Sequence, residues 1–127
     1  MKWLAGLIVA MVPVAAHAVP PPAGSPDALE LQQFTADERA WIARQHDQDH
    51  HWCCDAGDFA FVEIRDNNGT LEAKAKHPAP ERGIPDGWLD VPEGKKVDVS
   101  GQRNIPDVVA AWYYQGRIQC IIMGSGY

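Results

Sequence analysis

The chain has 127 residues, with 11 Lys and Arg against 17 Asp and Glu, a formal net charge of −6 and 46% hydrophobic residues. That length has room for a single core. The acidic balance repels nucleic acid and anionic lipid, so neither is an expected partner.

Residues 1–18 have the three parts of a secretory signal peptide. Lys2 supplies the positive start, Trp3 to Ala16 is an uncharged apolar run, and Ala16-His17-Ala18 presents small residues to a signal peptidase. The run falls short of the roughly 20 apolar residues that a spanning helix needs. No cysteine follows it to carry a lipid. Cleavage before Val19 is expected, which makes the mature chain periplasmic or secreted, without a stable membrane anchor.

Residues 19–34 read as a Pro-rich leader. Pro20, Pro21, Pro22, Gly24 and Pro26 favour an extended tether, and Leu29 to Phe34 a short helical turn. The globular domain is drawn over 35–127. It opens on Thr35-Ala36-Asp37-Glu38, a capping box in which the threonine and glutamate side chains satisfy each other's backbone donors. Asp37 and Glu38 also suit the positive end of a helix dipole. The pattern predicts a helix through Trp41 and Ile42 to His46 or Gln48, with Asp47-Gln48-Asp49 a poor helix interior.

Asp58 to Lys76 predicts a β-hairpin turning at Asn68-Gly69, a pair suited to positive φ. This register sets Arg65 opposite Glu72 and Glu63 opposite Lys74 on one face. Ile64 then meets Ala73, and Val62 meets Ala75, on the other. A slip of one residue destroys both patterns. Asn68-Gly69-Thr70 also spells a glycosylation sequon, read here as turn chemistry. His77 to Gly87, with three prolines and two glycines, is a loop. Trp88 to Val91 is a short strand, and Val97 to Val99 a candidate for another. Val108 to Tyr114 and Arg117 to Met123 predict a second hairpin around Gln115-Gly116. In a regular register Tyr113, Ala111 and Val109 share a face with Ile118, Cys120 and Ile122.

Three cysteines remain: Cys53, Cys54 and Cys120. In an oxidising compartment thiols pair. Neighbouring Cα atoms lie about 3.8 Å apart, closer than the roughly 4.4–6.8 Å a disulfide prefers. Cys120 is therefore expected to pair with Cys54, or alternatively with Cys53, leaving one thiol over.

One constellation could carry chemistry: His46-Asp47-Gln48-Asp49-His50-His51-Trp52-Cys53-Cys54-Asp55. On a continued helix His46 and His50 share a face, and His51 and Cys53 add donors that zinc or copper accepts. The spacing matches no established zinc signature, and the competing reading is a polar helix end running into a structural cysteine. A thiol nucleophile activated by His50 or His51 lacks a third, orienting group in the sequence. Ser25, Ser100 and Ser125 sit in no Gly-x-Ser-x-Gly, and there is no P-loop or dinucleotide fingerprint. No pair of carboxylates stands out as a glycosidase acid and base. Trp41, Trp52, Trp88, Trp112, Tyr113 and Tyr114 are expected to fill the core, and a couple of them could form a binding face.

Cys53-Cys54-Asp55, Trp88-Leu89-Asp90-Val91-Pro92, Trp112 and Gln119-Cys120-Ile121 before Gly124-Ser125-Gly126 resemble the pattern of a family of small exported bacterial proteins without an assigned function. The resemblance covers roughly residues 41 to 126. Gln119, Ile121 and Met123 depart from the family's usual Arg, Phe and Pro. It implies a shared fold and a cysteine framework, and no activity. The terminal Gly124-Ser125-Gly126-Tyr127 is similar to the Ser-Gly-x-Tyr loop that periplasmic inhibitors insert into c-type lysozymes.

The expected fold is α+β: an N-terminal helix packed on a small antiparallel sheet of about five strands, able to curl into a partly open barrel. The expected function is that of an exported, non-enzymatic binding or accessory protein with no cofactor and an unidentified protein or small-molecule partner. The alternatives are a zinc or copper protein using His46, His50, His51 and Cys53, and a periplasmic inhibitor of a lysozyme-type cell-wall hydrolase.

Overall fold

The computed structural model describes residues 20–53 and 57–124. The signal-peptide reading, Cys54 and the terminal Ser125-Gly126-Tyr127 lie outside them. Two short helices, α1 (Pro26–Leu31) and α2 (Ala36–Ala43), precede five strands: β1 (Asp58–Asn67), β2 (Thr70–Ala75), β3 (Trp88–Asp90), β4 (Val109–Tyr114) and β5 (Arg117–Met123). The sheet order is β3-β2-β1-β4-β5, and every pairing is antiparallel. The sheet curls into a half-barrel whose outer strands β3 and β5 touch. This is the α+β architecture read from the sequence, with the helices N-terminal to the sheet.

The capping box at Thr35 is present in full: Glu38 N–H donates to the threonine Oγ1 (3.1 Å), and Thr35 N–H to the Glu38 Oε1 (2.8 Å). The helix it starts is shorter than expected. It ends at Ala43, because the Gln45 side-chain amide donates back to the Trp41 carbonyl (2.6 Å) while the Cys53 N–H takes the Gln45 carbonyl. The leader is also more than a tether. Ser25 caps α1, and the buried Asp27 carboxylate accepts the Phe61 N–H of β1 (3.2 Å), docking α1 on the sheet.

The β1–β2 hairpin has the predicted register at every pair from Val62↔Ala75 to Asn67↔Thr70. Asn68 (φ 54°) and Gly69 (φ 88°) make the turn, and Arg65 closes on Glu72 at 2.8 Å. Both faces of β1 are covered between Phe59 and Val62, so the sheet separates two apolar clusters. One packs Trp41 and Ile42 of α2 against Phe59, Phe61, Ala110, Trp112 and Ile122. The other gathers Ala60, Val62, Ala73, Ile84, Val91, Tyr113 and Ile121. Burial on this scale, at about 25 cal/mol per Å² of apolar surface, dominates the stabilisation of such a small domain.

The second hairpin departs from its predicted register. Tyr113 faces Ile118, but a bulge follows, and Trp112 faces Cys120, Ala111 faces Ile121 and Ala110 faces Ile122. Ile118 and Cys120 thus lie in different clusters. A bulge sets two residues against one and locally reverses which way the following side chains point. Val97 to Val99 is not a strand: Lys96 makes one parallel bridge to Ile121, with Val97 N–H donating to its carbonyl (2.9 Å). Gly57, just before β1, comes so close to the Tyr113 backbone carbonyl that a Cβ there would collide with it.

Candidate functional site

The 45–53 segment is a compact loop rather than a helix end. Asp47 N–H donates to the His51 carbonyl, and His46 makes an antiparallel bridge with Trp52. Asp47, 1% exposed, organises the loop. Its Oδ1 accepts the N–H groups of Asp49 (2.8 Å) and His51 (3.0 Å), and its Oδ2 lies 3.4 Å from His51 Nδ1 and 3.7 Å from Lys95 Nζ. Burial pushes this carboxyl's pKa up, but the two backbone donors with the His51 and Lys95 charges outweigh it, leaving it below the ordinary carboxylate value.

His50 adopts φ 64°, and this left-handed turn stacks its ring on His46, with centroids 5.5 Å apart. Trp52, 54% exposed, packs edge-on against His46 at 5.8 Å. The loop therefore brings together His46 and His50, as a continued helix would have done, though by a different path. His51 joins Asp47 and Asp49 instead, in a group whose ligand atoms lie within 4.8 Å of one another. Cys53 is not a metal ligand: it forms the disulfide with Cys120, the Cα atoms 5.4 Å apart. That pairing is the alternative of the two expected, and the bulge in β5 turns Cys120 to the face on which Cys53 is buried.

Two residues that the sequence reading passed over belong to the same neighbourhood. Asp98 N–H donates to the His46 carbonyl (3.1 Å). Its carboxylate has a lowered pKa, first because Ser100 donates to it from backbone and side chain, and further through the charges of His46 and His50. Gln102 accepts from Trp41 Nε1 (2.7 Å) and donates to Gln45 Oε1 (3.1 Å) and the Asp98 carbonyl (2.9 Å), tying the loop to α2. Asp47 had a legible signal, since aspartate commonly accepts backbone donors two residues ahead in a turn. Asp98 had the same signal, accepting the Ser100 N–H two residues ahead, and Gln102 had none.

Two concavities adjoin these elements. One, of about 350 Å³, lies between Gln48, residues 96–100 and residues 121–124. A larger one, of about 560 Å³, opens between the tip of the first hairpin, residues 90–93, Lys96 and Met123. It contains Ile64, Leu71, Val91 and Met123 together with Arg65, Asp90, Glu93 and Lys96. Arg65 is held there by Glu72 and lies over the Trp88 ring, 4.1 Å from its centroid. Among the described residues no helix is long and apolar enough to cross a membrane. No family model, no curated protein and no solved structure matches this chain.

Proposed function

We propose that the protein is a binding or accessory protein of an oxidising, extracytoplasmic compartment, and that it takes a small molecule or peptide segment in the cleft between the first hairpin tip, β3 and Met123. The cleft carries this reading. Its volume of about 560 Å³ falls in the range of roughly 300–1,000 Å³ typical of ligand sites. It also joins apolar side chains to a few convergent charges, the usual composition of such sites. The Cys53–Cys120 bridge supports the compartment, because disulfides persist where thiols are oxidised.

A thermal-shift screen of small metabolites and short peptides tests the reading. A true ligand raises the melting temperature in proportion to the logarithm of its concentration. Met123→Trp, which fills the cleft, removes that shift while leaving the unliganded protein folded. Equal shifts in the two proteins place binding elsewhere and end this assignment. Inhibition of a c-type lysozyme through Gly124-Ser125-Gly126-Tyr127 is a separate binding role that does not use the cleft, and unchanged lysozyme turnover in excess protein ends that role alone.

The facing of His46 and His50 favours a second reading, in which these imidazoles hold zinc or copper. Such binding weakens on acidification, because an imidazole must be neutral to bind a metal. Uptake unaffected by His46→Ala removes it.

A further inference from the structure

A separate polar cluster lies at the other end of the β1–β2 ladder, and neither reading above uses it. Asp27 and Glu30 are three residues apart on α1, which sets them on one side of that helix. His77 follows β2 by two residues. One ligand atom from each of the three lies within 4.8 Å of the others.

Among the described residues no cation pairs with Asp27 at contact distance, although the charges of His77 and Arg82 reach it. Lys76 answers Glu30 at 3.4 Å, and Arg82 answers Asp58 at 3.3 Å. Asp27 is 3% exposed, with its Oδ1 fixed by the Phe61 N–H. A buried carboxylate is expensive unless a cation or several donors compensate it. The Tyr113 hydroxyl, within electrostatic reach of Asp27, is itself buried with no hydrogen-bond partner among the described residues. An unpaired buried hydroxyl in a native fold calls for a water or ion nearby.

We propose that Asp27, Glu30 and His77 form a divalent-metal site, with zinc the fitting ion, completed by a water that the Tyr113 hydroxyl hydrogen-bonds. One imidazole and two carboxylates match the donor preferences of zinc. Calcium, by contrast, takes six to eight oxygens. Bound metal neutralises Asp27 and joins α1 to the end of β2, so it also raises stability.

Titration calorimetry of zinc chloride into the purified, metal-free protein at neutral pH tests the site, with thermal melting as a second readout. Glu30 is partly buried and His77 exposed, so Glu30→Gln and His77→Ala leave the core intact, which circular dichroism checks. The expected result is one equivalent of zinc and a raised melting temperature, both lost in each of these variants. Tyr113→Phe keeps the stoichiometry and weakens affinity about 10-fold, as loss of an outer partner does. The double variant His46→Ala/His50→Ala retains this zinc, which separates the site from the histidine pair of the loop. No zinc uptake by the unmodified protein overturns the proposal, and so does uptake that His77→Ala leaves unchanged.

Discussion

Cys120 faces Trp112 across β4 and β5, one residue out of step with the Tyr113–Ile118 pair beside it. A regular ladder from Ile118 would set Cys120 opposite Ala111, on the side away from α2. The bulge at Gln119 turns the sulfur to the cluster where Cys53 lies. Setting Gln119 outside the ladder, rather than in it, thus lets the 45–53 loop be crosslinked to the sheet.

Deleting Gln119 should remove the bulge yet keep Cys120 opposite Trp112, because Ile118 and Cys120 then become successive residues pointing to opposite faces, so the bridge to Cys53 should persist. The bridge spans a sequence separation of 67, for which chain entropy gives about 4 kcal/mol of stabilisation. Non-reducing peptide mapping reads the linkage. Cys53→Ala/Cys120→Ala should lose that amount with the bulge retained, and urea unfolding reads the loss. Loss of the Cys53–Cys120 bridge in the deletion variant would show that the shortened strand re-registers instead.

Gln102→Ala should destabilise the fold by roughly 1–3 kcal/mol, because it leaves the Trp41 indole N–H without its acceptor and breaks the tie to Gln45. Tryptophan fluorescence during denaturation reports both the stability and the altered surroundings of Trp41. A change within experimental error would mean that water replaces the amide.

Asp47 makes the loop sensitive to acid. Its pKa is lowered in the folded state, so its contribution is fully present above the unfolded value of about 3.8 and is lost as pH falls through the folded value. Asp47→Ala should cost roughly 1–3 kcal/mol at neutral pH by stranding the Asp49 and His51 donors, and the deficit should shrink on acidification below that value. Asp47→Asn, which keeps one acceptor oxygen, should cost less. A deficit independent of pH would mean that the carboxylate's charge contributes nothing.

Gly57→Ala should destabilise by roughly 1–3 kcal/mol, since the added methyl meets the Tyr113 carbonyl and β1 or β4 must shift. Hydrogen exchange at the Asp58–Tyr113 end of the ladder localises the effect. Unaltered protection there would place the strain elsewhere.

How far the sequence spoke for itself follows from where its patterns were unambiguous. The first hairpin was legible because Arg65, Glu72, Glu63 and Lys74 fit only one register, and Asn68-Gly69 marked its turn. The α2 start was legible for the same kind of reason, a reciprocal cap. The second hairpin carried no comparable check. Ile118, Cys120, Ile121 and Ile122 are all buried, and apolar residues suit either face of a sheet covered on both sides, so the bulge left no trace in the pattern. In the candidate site His46 and His50 were found through a helix that does not extend to them. The cleft assembles from residues far apart in the chain, which no local motif announces.

The Lys95–Val97 segment has a further consequence, for how this sheet meets other chains. Its backbone exchanges hydrogen bonds with Ile121 on the outer side of β5, while β3 turns toward that same edge. Unpaired strand edges are templates for intermolecular pairing and fibril growth. Here the rim that would recruit a neighbouring molecule is occupied from within at Ile121. Loosening 95–97, more than cutting into the core, is the change that should make the folded protein aggregate.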